Sequence, residues 1–516
     1  SLDANTTGDT NTAIGYESLS GNTTGSSNTA VGGYSLYSAT TASNNTAVGN
    51  GALQSTSTGT YNTAVGKSAL VTNTTGIENT AVGGLALDAN TTASYNTATG
   101  YNSLSGNTTG DKNDAFGYYA LWSNTTGEEN TAVGTRALQY NTTASYNIAV
   151  GRDSLRLNTT GQQNTAVGND SLDANTTGSY NCAFGYRALS ANTTGERNTA
   201  VGYYALDENT TGTYNCAIGL NCLRKNTTAN NNTGLGYYAL TENTTGANNV
   251  AVGMHALENN TTGGTNTACG RSALSENTEG GYSTALGYQA AVLVTTADKE
   301  VALGANALRY CTTGEKNTGA GYQALYNVTT GTHNTGVGHN SGYSITTGTN
   351  NVHIGEYIRG ATTADHQVLI GSNGDFGNTS NKVAIYNGTV NANFDGSASS
   401  WTFSSDGRDK TDIVDLDLGL EFIKKIQPRK FKWNFRDEKR AATWGNGKTK
   451  AGFIAQELQA VLTETNATYT KIVNEDDPNN LTVGQSDFIP MIINAIKELS
   501  AKNTALEARI AALESA

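Results

Sequence analysis

The sequence predicts a mainly β protein: a parallel β-solenoid or β-roll of 17-residue coils, ordered only within an oligomer, followed by an α+β domain that ends in a coiled coil. Three observations carry this. A strict repeat fills residues 1–371, all three prolines (Pro428, Pro478 and Pro490) lie in the C-terminal part, and the last thirty residues carry a heptad seam.

With the Asn of Asn-Thr-Ala-Val-Gly as position 1, coils begin at Asn11, Asn28, Asn45 and Asn62 and keep step without insertion to Asn351, which makes 21 coils. Position 5 is Gly in all 21 and position 9 is Leu in 18, so one stereotyped backbone is implied. The mostly apolar position 4 (Ile14, Val31, Phe184, Ile218, Leu286, Ile354) is expected to point into a narrow interior. Positions 12 to 15 read Asn-Thr-Thr-Gly, a turn in which Gly is expected to supply positive φ. Each coil is then expected to hold two short strands, around Thr-Ala-Val and around Ala-Leu, with a Gly corner between them. Coils of equal length stack at ~4.8 Å each, with hydrogen bonds along the axis. A proline-free stretch keeps every backbone N–H available for that ladder.

Cysteine usage fits small slots. Cys182 and Cys216 replace the position 2 Thr, Cys269 the position 4 Val and Cys222 the position 8 Ala. Two coils separate Cys182 from Cys216, ~9.6 Å of rise, beyond disulfide reach. Free thiols agree with assembly in a reducing cytoplasm. One Val and one Leu per coil are too little apolar surface to order 17 residues, so burial against other chains is required, and cyclic symmetry closes such an assembly.

A net charge of −12 without a basic stripe leaves no footprint for nucleic acid or an anionic membrane. No apolar run is long enough to span a bilayer, and Ser1-Leu2 falls inside a repeat rather than in a signal segment. From Ser372 to Ser404 the register is lost and the text becomes short strand-like runs, Lys382–Tyr386 and Trp401–Phe403, as expected of a β-rich connector. From Ser405 onward Lys and Arg number 16 against 17 Asp and Glu, while the preceding residues hold 15 against 26. That break marks a domain boundary and gives three regions: 1–371, 372–404 and 405–516.

Leu416, Leu420, Ile423 and Ile426 stand at helical spacing. Within about 487–516, Ile489, Ile492, Ile496, Leu499, Asn503, Leu506, Ile510 and Leu513 alternate three and four apart. This is a coiled-coil seam with one polar core residue, Asn503, of the kind that fixes register and strand number.

The Asn-Thr-Ala-Val-Gly…Ala-Leu repeat resembles the head repeats of trimeric autotransporter adhesins, three-chain bundles of parallel β-rolls, and repeats of phage fibres. The C-terminal region carries Ser405-Asp-Gly-Arg-Asp-Lys410, Ile426-Gln-Pro-Arg-Lys-Phe-Lys-Trp433, Gly452-Phe-Ile-Ala-Gln-Glu457 and Asp487-Phe-Ile-Pro-Met-Ile-Ile-Asn-Ala-Ile-Lys-Glu-Leu499. These motifs resemble the intramolecular chaperone domain of endosialidases and related phage tailspikes. The resemblance implies a homotrimer whose C-terminal domain folds the preceding fibre and then cuts itself off. It assigns Ser405 as nucleophile, Lys410 as base and Ser404-Ser405 as the scissile bond, with Asp406 and Arg408 in support. A desolvated Lys amine beside a Ser hydroxyl suits that single-turnover role. It further implies a virion tail fibre or tailspike shaft, assembled in the host cytoplasm, contacting a host cell-surface receptor (glycan or protein) and other virion tail proteins. The alternatives are a bacterial surface adhesin and the shaft of a polysaccharide-degrading tailspike whose catalytic domain lies elsewhere.

No cofactor and no metal are expected, because His255, His333, His339, His353 and His366 lack ligand spacing. No coil carries an inserted loop with paired carboxylates, which argues against glycan cleavage here. The Asn-Thr-Thr triplets fit the N-glycosylation pattern but sit at a structural turn. The 26 tyrosines favour inter-chain packing over stacking on sugar rings.

Overall fold

The structure, a computed structural model, describes residues 1–375, 380, 382–386, 391–394, 402–403, 411–432, 449–470, 472–474, 481–484 and 488–515. The chain divides into two compact units, Ser1–Ser404 and Ser405–Ala516. It is mainly β: a 23-strand parallel solenoid of about 17-residue coils, then a small region of helices and short sheets.

Each coil contributes one three-residue strand, from β1 (Thr12–Ile14) to β21 (Val352–Ile354). Neighbours pair in parallel with a shift of one repeat, as in Thr165↔Cys182, Ala166↔Ala183 and Val167↔Phe184. β22 (Val368–Gly371) and β23 (Val383–Tyr386) extend the parallel stack in shorter coils. β24 (Asn391–Phe394) and β25 (Thr402–Phe403) then pair antiparallel onto its end.

The second strand expected around Ala-Leu does not form. Positions 7, 9 and 17 are left-handed instead, as at Arg187, Leu189 and Arg197 (φ 55°, 54° and 55°), and these residues break the extended run into turns. The segment still bonds to the next coil, with Leu189 N donating to Ala205 O at 3.0 Å. The burial expected at position 4 is also reversed. Alternation along the strand turns position 3, an Ala in most coils, inward, where it is fully buried from Ala30 onward, while Val48, Phe116 and Ile218 at position 4 face out. The interior of one chain therefore holds Ala at positions 3 and 8 and Leu at position 9. Cys182, Cys216 and Cys269, on the outward face, are half-buried rather than interior, whereas Cys222 and Cys311 are buried; all five are free thiols.

Positive φ belongs to the position 5 glycines and not to the Gly of Asn-Thr-Thr-Gly. Position 15 takes a small residue, Gly in most coils and a buried Ala at 42, 93, 144, 229 and 297, and the shortened last coil places Ala364 there.

Two ladders of buried asparagine run through the stack. At position 1, Asn164 Oδ1 accepts Asn181 N at 2.9 Å, and Asn164 Nδ2 donates to Gly178 O at 2.9 Å. At position 12, Asn175 Nδ2 donates to Asn158 Oδ1 at 2.8 Å and to the same Gly178 O at 2.9 Å. Both hydrogens of the position 12 amide are thus spent inside the fold, and the glycosylation reading of the triplets fails on geometry. Replacing Asn164 by Ala orphans a buried N–H and weakens the hold on a buried carbonyl, at about 1–3 kcal/mol for a group left unpaired. The expected loss of shaft stability is about 3 kcal/mol, read by urea unfolding monitored by circular dichroism.

The position 12 ladder is broken early, at Ala39 and Thr56, and both ladders are interrupted near the end of the stack. Position 1 becomes Ser283, Glu300 and Gln367, and position 12 becomes Val294, Cys311, Val328 and Ile345. Glu300 is fully buried and accepts Asn317 N at 3.0 Å; burial pushes its carboxyl up to about 8. His353, also fully buried, replaces a position 3 Ala beside the Gly that stands for Leu at 342, and burial lowers its imidazole to about 4.

Candidate functional site

The C-terminal unit is assembled around α1 (Leu420–Lys425), the paired strands β26 (Arg429–Lys432) and β27 (Thr449–Gly452), α2 (Ala455–Glu464) and α3 (Ile489–Glu514). A second pair, β28 (Val473–Asn474) and β29 (Thr482–Val483), lies between the last two helices in sequence.

Helical spacing at Leu416, Leu420, Ile423 and Ile426 predicts a longer helix than α1. The chain before Gly419 is irregular because α3 captures its carbonyls: Asn494 Nδ2 donates to Leu416 O at 2.9 Å and Leu418 O at 3.2 Å. Glu498, one turn further along α3, accepts Leu420 N at 3.0 Å and so satisfies an orphan donor at the start of α1. Gly419 permits that approach, since a Cβ there would run into the Glu498 carboxylate.

Leu418, Phe422 and Ile426 close against Leu458, Leu462 and Met491, and Phe453 stacks on Phe488 with ring centroids 4.9 Å apart. The Ile426 and Gly452 motifs meet as β26 and β27, with Arg429 opposite Gly452. Arg429 also reaches Glu457 on α2 at 2.9 Å, and Lys425 reaches Glu464 at 2.8 Å.

Residues 405–466 match the family model of the chaperone of endosialidase (Peptidase_S74). No curated protein and no solved structure matches the chain. The chaperone region so defined covers α1, β26, β27 and α2. The catalytic residues implied by the resemblance, Ser405 and Lys410, together with Ser404, Asp406 and Arg408, lie outside the described residues.

α3 follows the matched segment and divides into two halves. Its first turns are held by the chaperone core through Met491 and Ala495. Beyond Leu499 every described residue of the helix is exposed, and the heptad residues are no exception: Leu506 is 55% and Leu513 74% accessible. The 26-residue helix thus carries an apolar seam that nothing in the chain covers among the described residues. Among the described residues no helix is long and apolar enough to cross a membrane, and no group of His, Cys, Asp and Glu converges to hold a metal ion.

Proposed function

We propose that this chain is the shaft of a homotrimeric virion fibre for host attachment, folded by its C-terminal domain, which then cleaves Ser404-Ser405. The observation that carries the reading is the chaperone of endosialidase match, which begins at Ser405 directly after the β unit that ends at Ser404. The uncovered seam of α3 and the outward apolar column at position 4 supply the surfaces for association.

In the proposed chemistry the Lys410 amine takes the Ser405 Oγ proton as that oxygen attacks the carbonyl carbon of Ser404. The protonated Lys410 then returns that proton to the Ser405 nitrogen as the peptide C–N bond breaks, leaving an ester to Oγ and a free amine on Ser405. Water then hydrolyses the ester, which leaves a carboxylate on Ser404 and restores the Ser405 hydroxyl. Desolvation of Lys410 in the assembled domain would hold its amine neutral.

Intact mass after expression tests this. The natural chain is expected as two pieces, 1–404 and 405–516, and the Ser405→Ala chain as one. A single full-length species for both would remove the cleavage; a monomer in native mass spectrometry would remove the trimer.

A further inference from the structure

The position 4 column is flanked by two others, and their sequences are matched to each other in a way one chain does not use. Position 17, the residue before each coil, stands at the start of the strand, and position 6 stands at its end. A three-residue strand and the position 5 Gly corner separate the two, and among the described residues no ring contact, cation–π contact or ion pair joins one column to the other within the chain. Along the axis each column stacks on itself, with Arg197 over Tyr180 and Tyr214 and Tyr186 on Tyr203; position 6 also touches position 7 beside it, as in Tyr203 against Tyr204 and Arg152 against Asp153.

Across the strand the columns are nonetheless complementary. Lys67 shares its layer with Tyr61, Lys112 with Tyr118, and Arg152 with Tyr146. Arg197 shares its layer with Tyr203, and Lys316 with Tyr322. Five of the seven cations in the two columns thus stand opposite tyrosine, while Arg271 and Lys299 stand opposite Thr265 and Ala305. The acidic residues Glu78, Glu129 and Glu356 stand opposite Gly84, Thr135 and Asn350. In no layer does one Lys, Arg, Asp or Glu face another. The partners are available: Tyr118 is 51% and Tyr146 52% exposed.

We propose that copies of this chain pack in register around their position 4 columns, the residue before each strand in one copy lying against the position 6 residue of the same layer in its neighbour. This rests on the homotrimer reading and adds the partner's face, height and contacts. In a cyclic assembly all copies stand level, so the leading edge of one strand abuts the trailing edge of the next. Cation over tyrosine is the favourable pairing for such edges, and the absence of charge opposite charge avoids leaving either buried unpaired. No other polymer would present the same side-chain sequence at the same rise.

The test uses the full chain with Cys182, Cys216 and Cys269 replaced by Ser. Tyr146→Cys with Arg152→Cys, and separately Lys112→Cys with Tyr118→Cys, are treated with a short bis-maleimide. Both pairs are expected to give covalent dimers and trimers. Tyr146→Cys with Tyr203→Cys, displaced three coils or roughly 14 Å along the axis, is expected to give none. A native mass of three chains with no cross-linked species from either pair, or with equal cross-linking in the displaced control, overturns the pairing while leaving the trimer standing. A native mass of one chain overturns both.

Discussion

Gly185→Val is expected to cut the shaft in two. The backbone at Gly185 has φ +136°, a region that β-branched residues avoid, and a Cβ there would lie 2.7 Å from the carbonyl carbon of Gly202 in the next coil. Strain of about 1–3 kcal/mol adds to overpacking of about 1–3 kcal/mol, and the overlap is with backbone, which has nowhere to go. Because each coil is stabilised only through its neighbours, the defect stays local and the coils on either side remain stacked. Limited proteolysis should therefore give one resistant shaft from the natural chain and two shorter resistant pieces from the variant, nicked near residue 185. A single resistant piece with unchanged melting would show that the stack tolerates a side chain at position 5.

The second large effect is one of pH. Glu300 has a folded pKa of about 8, above the ordinary 4.5, because burial penalises its charged form. Its neutral form is accommodated fully below about pH 4.5. As pH rises from there through 8 the folded state must either bind a proton or bury a charge, and stability is lost. At about 1.4 kcal/mol per unit the loss approaches about 5 kcal/mol above pH 8. Glu300→Gln keeps the acceptor for Asn317 and never ionises. The variant should unfold like the natural chain at pH 4 and resist urea better by several kcal/mol at pH 9; a difference that does not vary with pH would refute the buried acid. His353 acts with the opposite sign. Its pKa is lowered to about 4, so the stability present above 6.5 is lost as pH falls toward 4.

Much of this fold was legible in the repeat. The uninterrupted spacing gave the stack, and Gly in every coil at position 5 marked a backbone that only Gly can adopt. Position 4 misled because apolar character alone does not say which face of a strand turns inward. The interior of the chain is marked instead by Ala at positions 3 and 8, Leu at position 9 and the buried Asn ladders at positions 1 and 12. The left-handed turns were hidden for another reason. Leu189 and Tyr214 have no preference for φ near +55°, and stacking imposes it. In the C-terminal unit the motifs around Ile426, Gly452 and Phe488 proved to be paired strands and helix starts. The roles of Asn494 and Glu498 were not legible, because they act on carbonyls and an N–H more than seventy residues away in sequence.

The broken ladders have a consequence for how such a chain finds its place. Over much of the stack each layer is nearly interchangeable with the next, so in the proposed trimer a chain that slips by one repeat forfeits little. Ala39 and Thr56 break the uniformity near the start, and Ser283, Glu300, Cys311, Gly342, His353 and Gln367 break it more heavily toward the other end. In the proposed assembly the later group acts as an address written into an otherwise uniform tape, and it is written in the part of the repeat that comes last in sequence.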